Sequence, residues 1–241
     1  MAQNVYDQPD FFDAYGRMRR SVEGPDGAAE WPAIRALLPD LRGLRVVDLG
    51  CGYGWFCRWA RDHGAARVLG IDISERMLDR ARAAGDEPAI SYERADLETL
   101  DLPVPGFDLA YSSLAFHYVA DAERLYGQVR RGLAEGGRLV FSTEHPIYMA
   151  PTRPGWRVDD GAKIWPLDSY LVEGSRTTDW LGARVVKYHR TIGTTLNLLI
   201  RAGFTIEHVE EFRPSAAQIA ARPDLADELL RPMFLIIGAR T

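Results

Sequence analysis

The sequence predicts an α/β domain built around a parallel sheet, and three observations carry that expectation. Arg45-Val46-Val47-Asp48-Leu49 is a short apolar run ending beside an acid, followed by Gly50, Gly52 and Gly54 at every second position and then by a helical pattern. From residue 44 to 144 apolar runs of strand length alternate with amphipathic runs of helix length, joined by short polar connections, as βαβ units require. After an interruption, the same alternation resumes from 191 to the C-terminus.

In chain order, Phe11, Phe12, Tyr15 and Met18 recur at helical spacing, and the Glu23-Gly24-Pro25-Asp26-Gly27 break leads to a second helix over 28–38 closed by Pro39. Residues 1–40 thus read as an N-terminal helical unit. The strands expected next are Leu44–Leu49, Arg67–Ile71, Ala89–Arg94, Phe107–Ser112 and Arg138–Thr143. The helices are Trp55–His63, Glu75–Ala84 and Ala122–Ala134, with Glu135-Gly136-Gly137 as a break before the fifth strand. Residues 145–190 interrupt the rhythm with Pro146, Pro151, Pro154 and Pro166 and with Tyr148, Trp156, Trp165, Tyr170, Trp180 and Tyr188. Within that segment Val185–Thr191 alternates, placing Lys187 and His189 on one face and Tyr188 and Arg190 on the other. We read it as an inserted cap containing antiparallel strand. A helix over Thr191–Ala202, a strand over Phe204–Glu210, a helical stretch over Pro214–Leu230 broken at Pro223, and a last strand over Met233–Ala239 complete the chain.

Composition bounds the function. With 241 residues, 46% hydrophobic content and a net charge of −5, the chain is an ordinary globular protein without the basic stripe that a phosphate backbone demands. Nucleic acid is therefore not an expected partner. The N-terminus lacks the basic start and apolar core of a secretory leader, and no apolar run approaches the ~18 residues of a membrane span. A soluble, cytoplasmic protein is expected. Cys51 and Cys57 form neither a disulfide framework nor a zinc spacing, and no metal site is expected.

The glycine turn is the functional signal. Glycine accepts positive φ and lets a ligand approach the backbone, and free N–H groups at the following helix start would face that ligand. A dinucleotide fingerprint requires G-x-G-x-x-G, but its third glycine position is occupied here by Trp55. The pattern that stands, apolar-apolar-Asp-x-Gly-x-Gly-x-Gly, resembles motif I of the class I S-adenosylmethionine-dependent methyltransferases. The resemblance covers roughly 44–144 and 191–241, and within that family it is similar to the small-molecule, ubiquinone-pathway-like branch. It implies a seven-stranded, mostly parallel Rossmann-like sheet with helices on both faces and an antiparallel last strand inserted between the fifth and sixth. It also implies S-adenosylmethionine as cofactor. On this reading 41–144 and 191–241 form the cofactor-binding domain, 1–40 a helical lid, and 145–190 a substrate cap.

Site residues follow from position. Asp72 ends the second strand, where a carboxylate meets ribose hydroxyls or caps the helix that begins at Ser74. By resemblance, Ile73 and Met77 would pack on the adenine faces, Asp96 would accept from its amino group with the Leu97 N–H reading the ring, and Ser113 would meet the methionine moiety. Gly50, Gly52 and Gly54 form the turn, and Asp48 either contacts the amino end of the ligand or ties the turn down. Tyr15 and Arg20 are candidates for the lid's inner wall.

A sulfonium is already activated, so the protein must align a nucleophile and exclude water. Oxygen and carbon nucleophiles usually also need a base. Glu144 and His145, at the carboxyl end of the fifth strand, lead the candidates, with His117 and His189 behind them. Arg176, Lys187 and Arg190 could meet a carboxylate or phosphate on the substrate, and the cap residues Tyr188 and His189, with Tyr15, complete the expected substrate wall. Tyr111-Ser112-Ser113-Leu114 stands after the fourth strand in place of Asn/Asp-Pro-Pro-aromatic, which by resemblance, with the acidic charge, implies a small-molecule acceptor. The cap's tryptophans and tyrosines suit an aromatic or apolar one, or simply form the cap's own core. Two other readings remain at this point: a non-catalytic sensor or partner subunit that binds the cofactor, and a nicotinamide-dependent oxidoreductase, which Trp55 disfavours.

Overall fold

The computed structural model describes residues 3–241, so Met1 and Ala2 of the predicted 1–40 segment lie outside the described residues. A seven-stranded sheet forms the centre. Its strands, in chain order, are β1 (Arg45–Leu49), β2 (Arg67–Asp72), β3 (Ile90–Arg94), β4 (Phe107–Ser113), β5 (Leu133–Glu144) and, after two separate hairpins, β10 (Thr205–Glu211) and β11 (Phe234–Arg240). The hairpins are β6 (Arg157–Asp159) with β7 (Ala162–Ile164), and β8 (Gly174–Trp180) with β9 (Ala183–His189). Across the main sheet the order is β10-β11-β5-β4-β1-β2-β3. β11 runs antiparallel to both β5 and β10, which it separates, and every other pairing is parallel.

β1 and β4 are buried almost throughout because helices cover both faces of a parallel sheet. The helices are α1 (Pro9–Gly16), α2 (Arg19–Val22), α3 (Trp31–Leu37), α4 (Trp55–Asp62), α5 (Glu75–Ala83), α6 (Ala122–Gly132), α7 (Pro146–Met149), α8 (Ile192–Arg201) and α9 (Ala216–Ala221), with a 3-10 turn at Phe116–Tyr118 and another over Pro223–Leu229. One core cluster joins Leu49, Ile71, Leu125, Phe141, Leu199 and Ile237, and a second on the opposite face joins Trp31, Val46, Phe56, Leu78 and Ile236.

Local chemistry sets the helix ends. Ser74, Asp121 and Thr191 each accept from a backbone N–H three residues on, and Ser215 and Gln218 form a reciprocal capping box. Two expectations shift. Glu135-Gly136-Gly137 lies inside β5 and does not precede it, with Gly136 at φ +73 turning the chain within the ladder. The stretch 214–230 divides as expected at Pro223, but only its first part is α-helix. No helix among the described residues is long and apolar enough to cross a membrane.

Candidate active site

The glycine turn connects β1 to α4 at the carboxyl ends of the strands, where open α/β sheets bind ligands. Its backbone could be built only from glycine at two points. Gly50 lies at φ +83 and a Cβ there would collide with Ala115 Cβ; Gly54 lies at φ +67, with the Tyr92 ring over it. The N–H groups of the turn itself are engaged within the fold. Gly50 and Cys51 donate to Ile71 O at 2.8 and 2.9 Å, Gly52 donates to Asp72 Oδ2 at 2.8 Å, and Gly54 donates to Cys51 O. β2 thus holds the turn open as a shaped surface.

A cavity of about 960 Å³ opens over that surface, at the top of the ~300–1,000 Å³ range usual for small-molecule sites. Asp48, Gly50, Gly52, Asp72, Ile73, Met77, Asp96, Leu97 and Ser113 all line it. Gly54 does not, because the Tyr92 hydroxyl sits against it. Asp72 accepts from Gly52 N and, through Oδ1, from Ser74 N at 2.9 Å, so it braces the residue that caps α5, while each oxygen keeps lone-pair capacity. Burial raises its pKa. Asp48 is buried beneath the turn with the Cys57 thiol 3.4 Å from Oδ2, and burial pushes its carboxyl up to about 8.

The roof comes from the N-terminal segment. Tyr6 and Tyr15 meet edge to face at 5.4 Å, and the Tyr6 hydroxyl donates to that of Tyr118 at 3.1 Å. Beside them Arg20 forms an ion pair at 2.9 Å with Glu30, which is fully buried. Trp55, the residue that breaks the dinucleotide pattern, also lines the cavity and donates to Ser21 O at 3.3 Å, fastening this roof to α4.

The remaining wall carries acid–base chemistry. Glu144, at the end of β5, accepts from Lys187 Nζ at 2.5 Å, and His117 Nε2 lies 4.0 Å from the same Oε1. His117 Nδ1 is 3.4 Å from the Glu144 N–H, which assigns the ring proton to Nε2, facing the carboxylate. Burial, reinforced by the Lys187 and Arg190 charges, holds His117 well below the ordinary histidine range, so it is neutral. Lys187 rests over the Trp180 ring at 5.3 Å.

Two comparisons identify this architecture. The model of a methyltransferase domain matches residues 47–141. A solved S-adenosylmethionine-dependent methyltransferase from Mesorhizobium loti is 67% identical and has a TM-score of 0.88, covering 90% of this chain and 100% of that one. The chain belongs to the S-adenosylmethionine-dependent methyltransferases. An uncharacterized protein of Haemophilus influenzae is 34% identical over 98% of the chain and 96% of its own length. A malonyl-[acyl-carrier protein] O-methyltransferase of Enterobacter lignolyticus is 36% identical over 53% of the chain, which spans only half of that relative's length.

The methyl donor of this methyltransferase is S-adenosylmethionine, and the cavity fits it chemically. Asp72 and Asp96 supply carboxylates at two separate strand ends, and space above Gly52 is open to 4 Å. Among the described residues no group of three or more His, Cys, Asp or Glu could hold a metal ion.

Several predicted catalytic and substrate residues fall elsewhere. His145 is fully buried outside the cavity; its Nε2 meets Glu211 at 2.9 Å and its Nδ1 accepts from Ile147 N, capping α7. His189 Nε2 donates to Tyr170 O at 2.8 Å, and Arg176 donates to the backbone oxygens of Ala150, Ser169 and Val172, so both knit the 145–190 segment together. Tyr188 does not reach the cavity because strand alternation turns it to the opposite face from Lys187. Tyr15, His117 and Glu144 do line it. Sequence reasoning missed Tyr6, Glu30 and Arg231. The alternation of Val185–Thr191 was the signal that could have ranked Lys187 above its neighbours.

Proposed function

We propose that this methyltransferase transfers the donor's methyl to a small molecule held in the part of the cavity walled by 145–190, by in-line displacement at an oxygen, nitrogen or carbon nucleophile. The observation that carries the reading is the cluster of buried His117 and Lys187 with the part-buried Glu144, all lining the same cavity as the glycine turn. Clustered titratable groups in a cleft, here with the strongly lowered His117 among them, favour a site that moves protons. Bound S-adenosylmethionine supplies a methyl group on a sulfonium. In this assignment Asp72 holds the ribose hydroxyls, Ile73 and Met77 the adenine faces, Asp96 and Leu97 its polar edge, and Ser113 and Asp48 the methionine end. The 1–40 segment acts as the lid, with Tyr6 and Tyr15 excluding water.

The Glu144 carboxylate receives the acceptor's proton, and Lys187, hydrogen-bonded to Oε1, holds that carboxylate in position beside the neutral His117. The half-length relatives are O-methyltransferases by name, which favours oxygen among the three nucleophiles. The test is incubation with isotope-labelled S-adenosylmethionine and a fractionated metabolite extract. Label in a small-molecule product, reduced at least about a hundredfold by Glu144→Gln, is expected for loss of a general base. Label confined to nucleic acid or protein, or none at all, rejects the small-molecule reading.

A further inference from the structure

Beyond the Glu144 cluster the cavity ends in a group of side chains that neither donor binding nor proton transfer uses. The Arg231 guanidinium lies 4.5 Å from the centroids of Tyr148 and Trp165 and 5.2 Å from Trp156. The Tyr148 and Trp165 rings are nearly parallel, 8° apart in plane, and Trp156 meets Trp165 edge to face. Tyr148 feels the charges of Glu144, Arg231 and Glu228 together. All four of these side chains line the cavity, as does Glu228.

The donor count at this end is unbalanced. Arginine carries five N–H donors. Arg231 Nη2 donates to Glu228 Oε1 at 2.7 Å, Nε is sealed without a partner, and Nη1 makes no hydrogen bond among the described residues yet is not sealed. The Trp156 indole N–H and the Tyr148 hydroxyl also make no hydrogen bond among the described residues. Two donor nitrogens of a guanidinium whose side chain is 4% exposed thus lack a protein partner, and the rings of Tyr148 and Trp156 beside it carry two further donors. A buried ion pair kept only for stability is commonly replaceable by apolar residues at no loss. Here it is retained at a cavity wall. The rings are already occupied by a cation, so an incoming ammonium would meet like charge, whereas an acceptor-rich anion would meet free donors. The aromatic walls favour a flat or apolar body behind that anion.

We propose that this end is a recognition subsite for a carboxylate on an aromatic or apolar acceptor molecule, with Arg231 binding the anion and Tyr148, Trp156 and Trp165 enclosing the body. The assignment deepens the proposed small-molecule reading and rests on it. Glu228 engages only Nη2 of the guanidinium, which leaves Nη1 for the incoming carboxylate.

The test uses benzoate and its neutral isostere benzamide, titrated by calorimetry into protein already saturated with S-adenosylhomocysteine. Benzoate is expected to bind about tenfold or more tightly than benzamide, because charge-assisted bonds to guanidinium are about twice as strong as neutral ones. In the double variant Arg231→Met/Glu228→Gln, which removes both partners and leaves no buried charge, the difference is expected to vanish while S-adenosylhomocysteine still binds. Equal affinity for the two probes, no saturable benzoate binding to the wild-type protein, or a difference that survives in the double variant overturns the subsite. The wild-type comparison decides even where the variant fails to fold. Failure of S-adenosylhomocysteine to bind counts instead against the donor-site assignment on which the proposed function stands.

Discussion

Lys187 Nζ and Glu144 Oε1, 2.5 Å apart, join the second strand of the β8–β9 hairpin to the end of the central strand β5. Their side chains are 6% and 14% exposed, so the pair is a buried bridge between the inserted segment and the sheet. Removing one partner of such a bridge leaves an uncompensated charge. Lys187→Met is expected to destabilise the protein by about 3–5 kcal/mol, and Lys187→Met/Glu144→Gln by much less. Urea denaturation of the two variants checks this; equal losses would mean that the pair is not energetically coupled.

The same wall and the glycine turn impose opposite pH dependences. Asp48 titrates at about 8 when folded, far above the ~3.9 of an unfolded aspartate, so the folded state binds more protons between those values and stability falls as pH rises through that window. Asp72, raised by burial as well, adds to the same trend. His117 is lowered, so the unfolded state binds more protons below ~6.5 and stability falls as pH drops from there. Between pH 6.5 and 8 the aspartate effect stands alone among these groups. The wild-type protein is expected to lose stability across that interval, and Asp48→Asn to lose less. Denaturant midpoints at the two pH values, with parallel slopes in both proteins, would contradict the Asp48 assignment.

The fold was legible because its signals are local. Apolar strand runs, the glycines after β1, and Pro223 each act through the backbone where they stand. Position along a strand end likewise located Asp72, Asp96 and Glu144 in the cavity. Side-chain partners were not legible. His145 and Glu144 are adjacent in sequence, yet alternation at a strand end sends one into the cavity and the other onto Glu211. Arg231 and Tyr148 are 83 positions apart in number, and only the return of β11 beside β5 brings them together. Such pairings depend on register, which no local pattern encodes.

Asp72 joins the turn to β2 through two backbone N–H groups, from Gly52 and Ser74. Asparagine keeps one carbonyl oxygen and presents an N–H₂ where the second acceptor stood, so Asp72→Asn must break one of these bonds. Bonds to a charged group contribute about 1.5–3 kcal/mol each. S-adenosylhomocysteine affinity is expected to fall by about tenfold or more, because the turn loosens and a hydroxyl acceptor is lost together. Calorimetry reads the change directly; undiminished affinity would remove Asp72 from the donor site.

The N-terminal segment is fastened at two places that a ligand-covering lid would need to release. Asp7 accepts from Ser74 Oγ at 2.5 Å and from Arg76 N at 3.2 Å at the start of α5, two residues beyond Asp72. Gln3 pairs with the β9 backbone, donating to Arg184 O and accepting from Val186 N, both at 2.8 Å. The first tether ties the segment to the start of α5 beside Asp72 and the second to the hairpin that carries Lys187. Both bonds from α5 to Asp7 exist only while the segment is docked, and with Asn4 they hold its carboxyl below the usual range despite the opposing effect of burial. Asp7→Ala therefore shifts the balance toward the undocked state without touching the cavity wall. The expected outcome is faster S-adenosylhomocysteine dissociation in stopped-flow measurements and earlier hydrogen exchange over residues 3–16 in the bound protein, with β1 and β4 unchanged. Dissociation at the wild-type rate alongside the faster exchange would show that the segment opens without gating the ligand, and the lid assignment would fall.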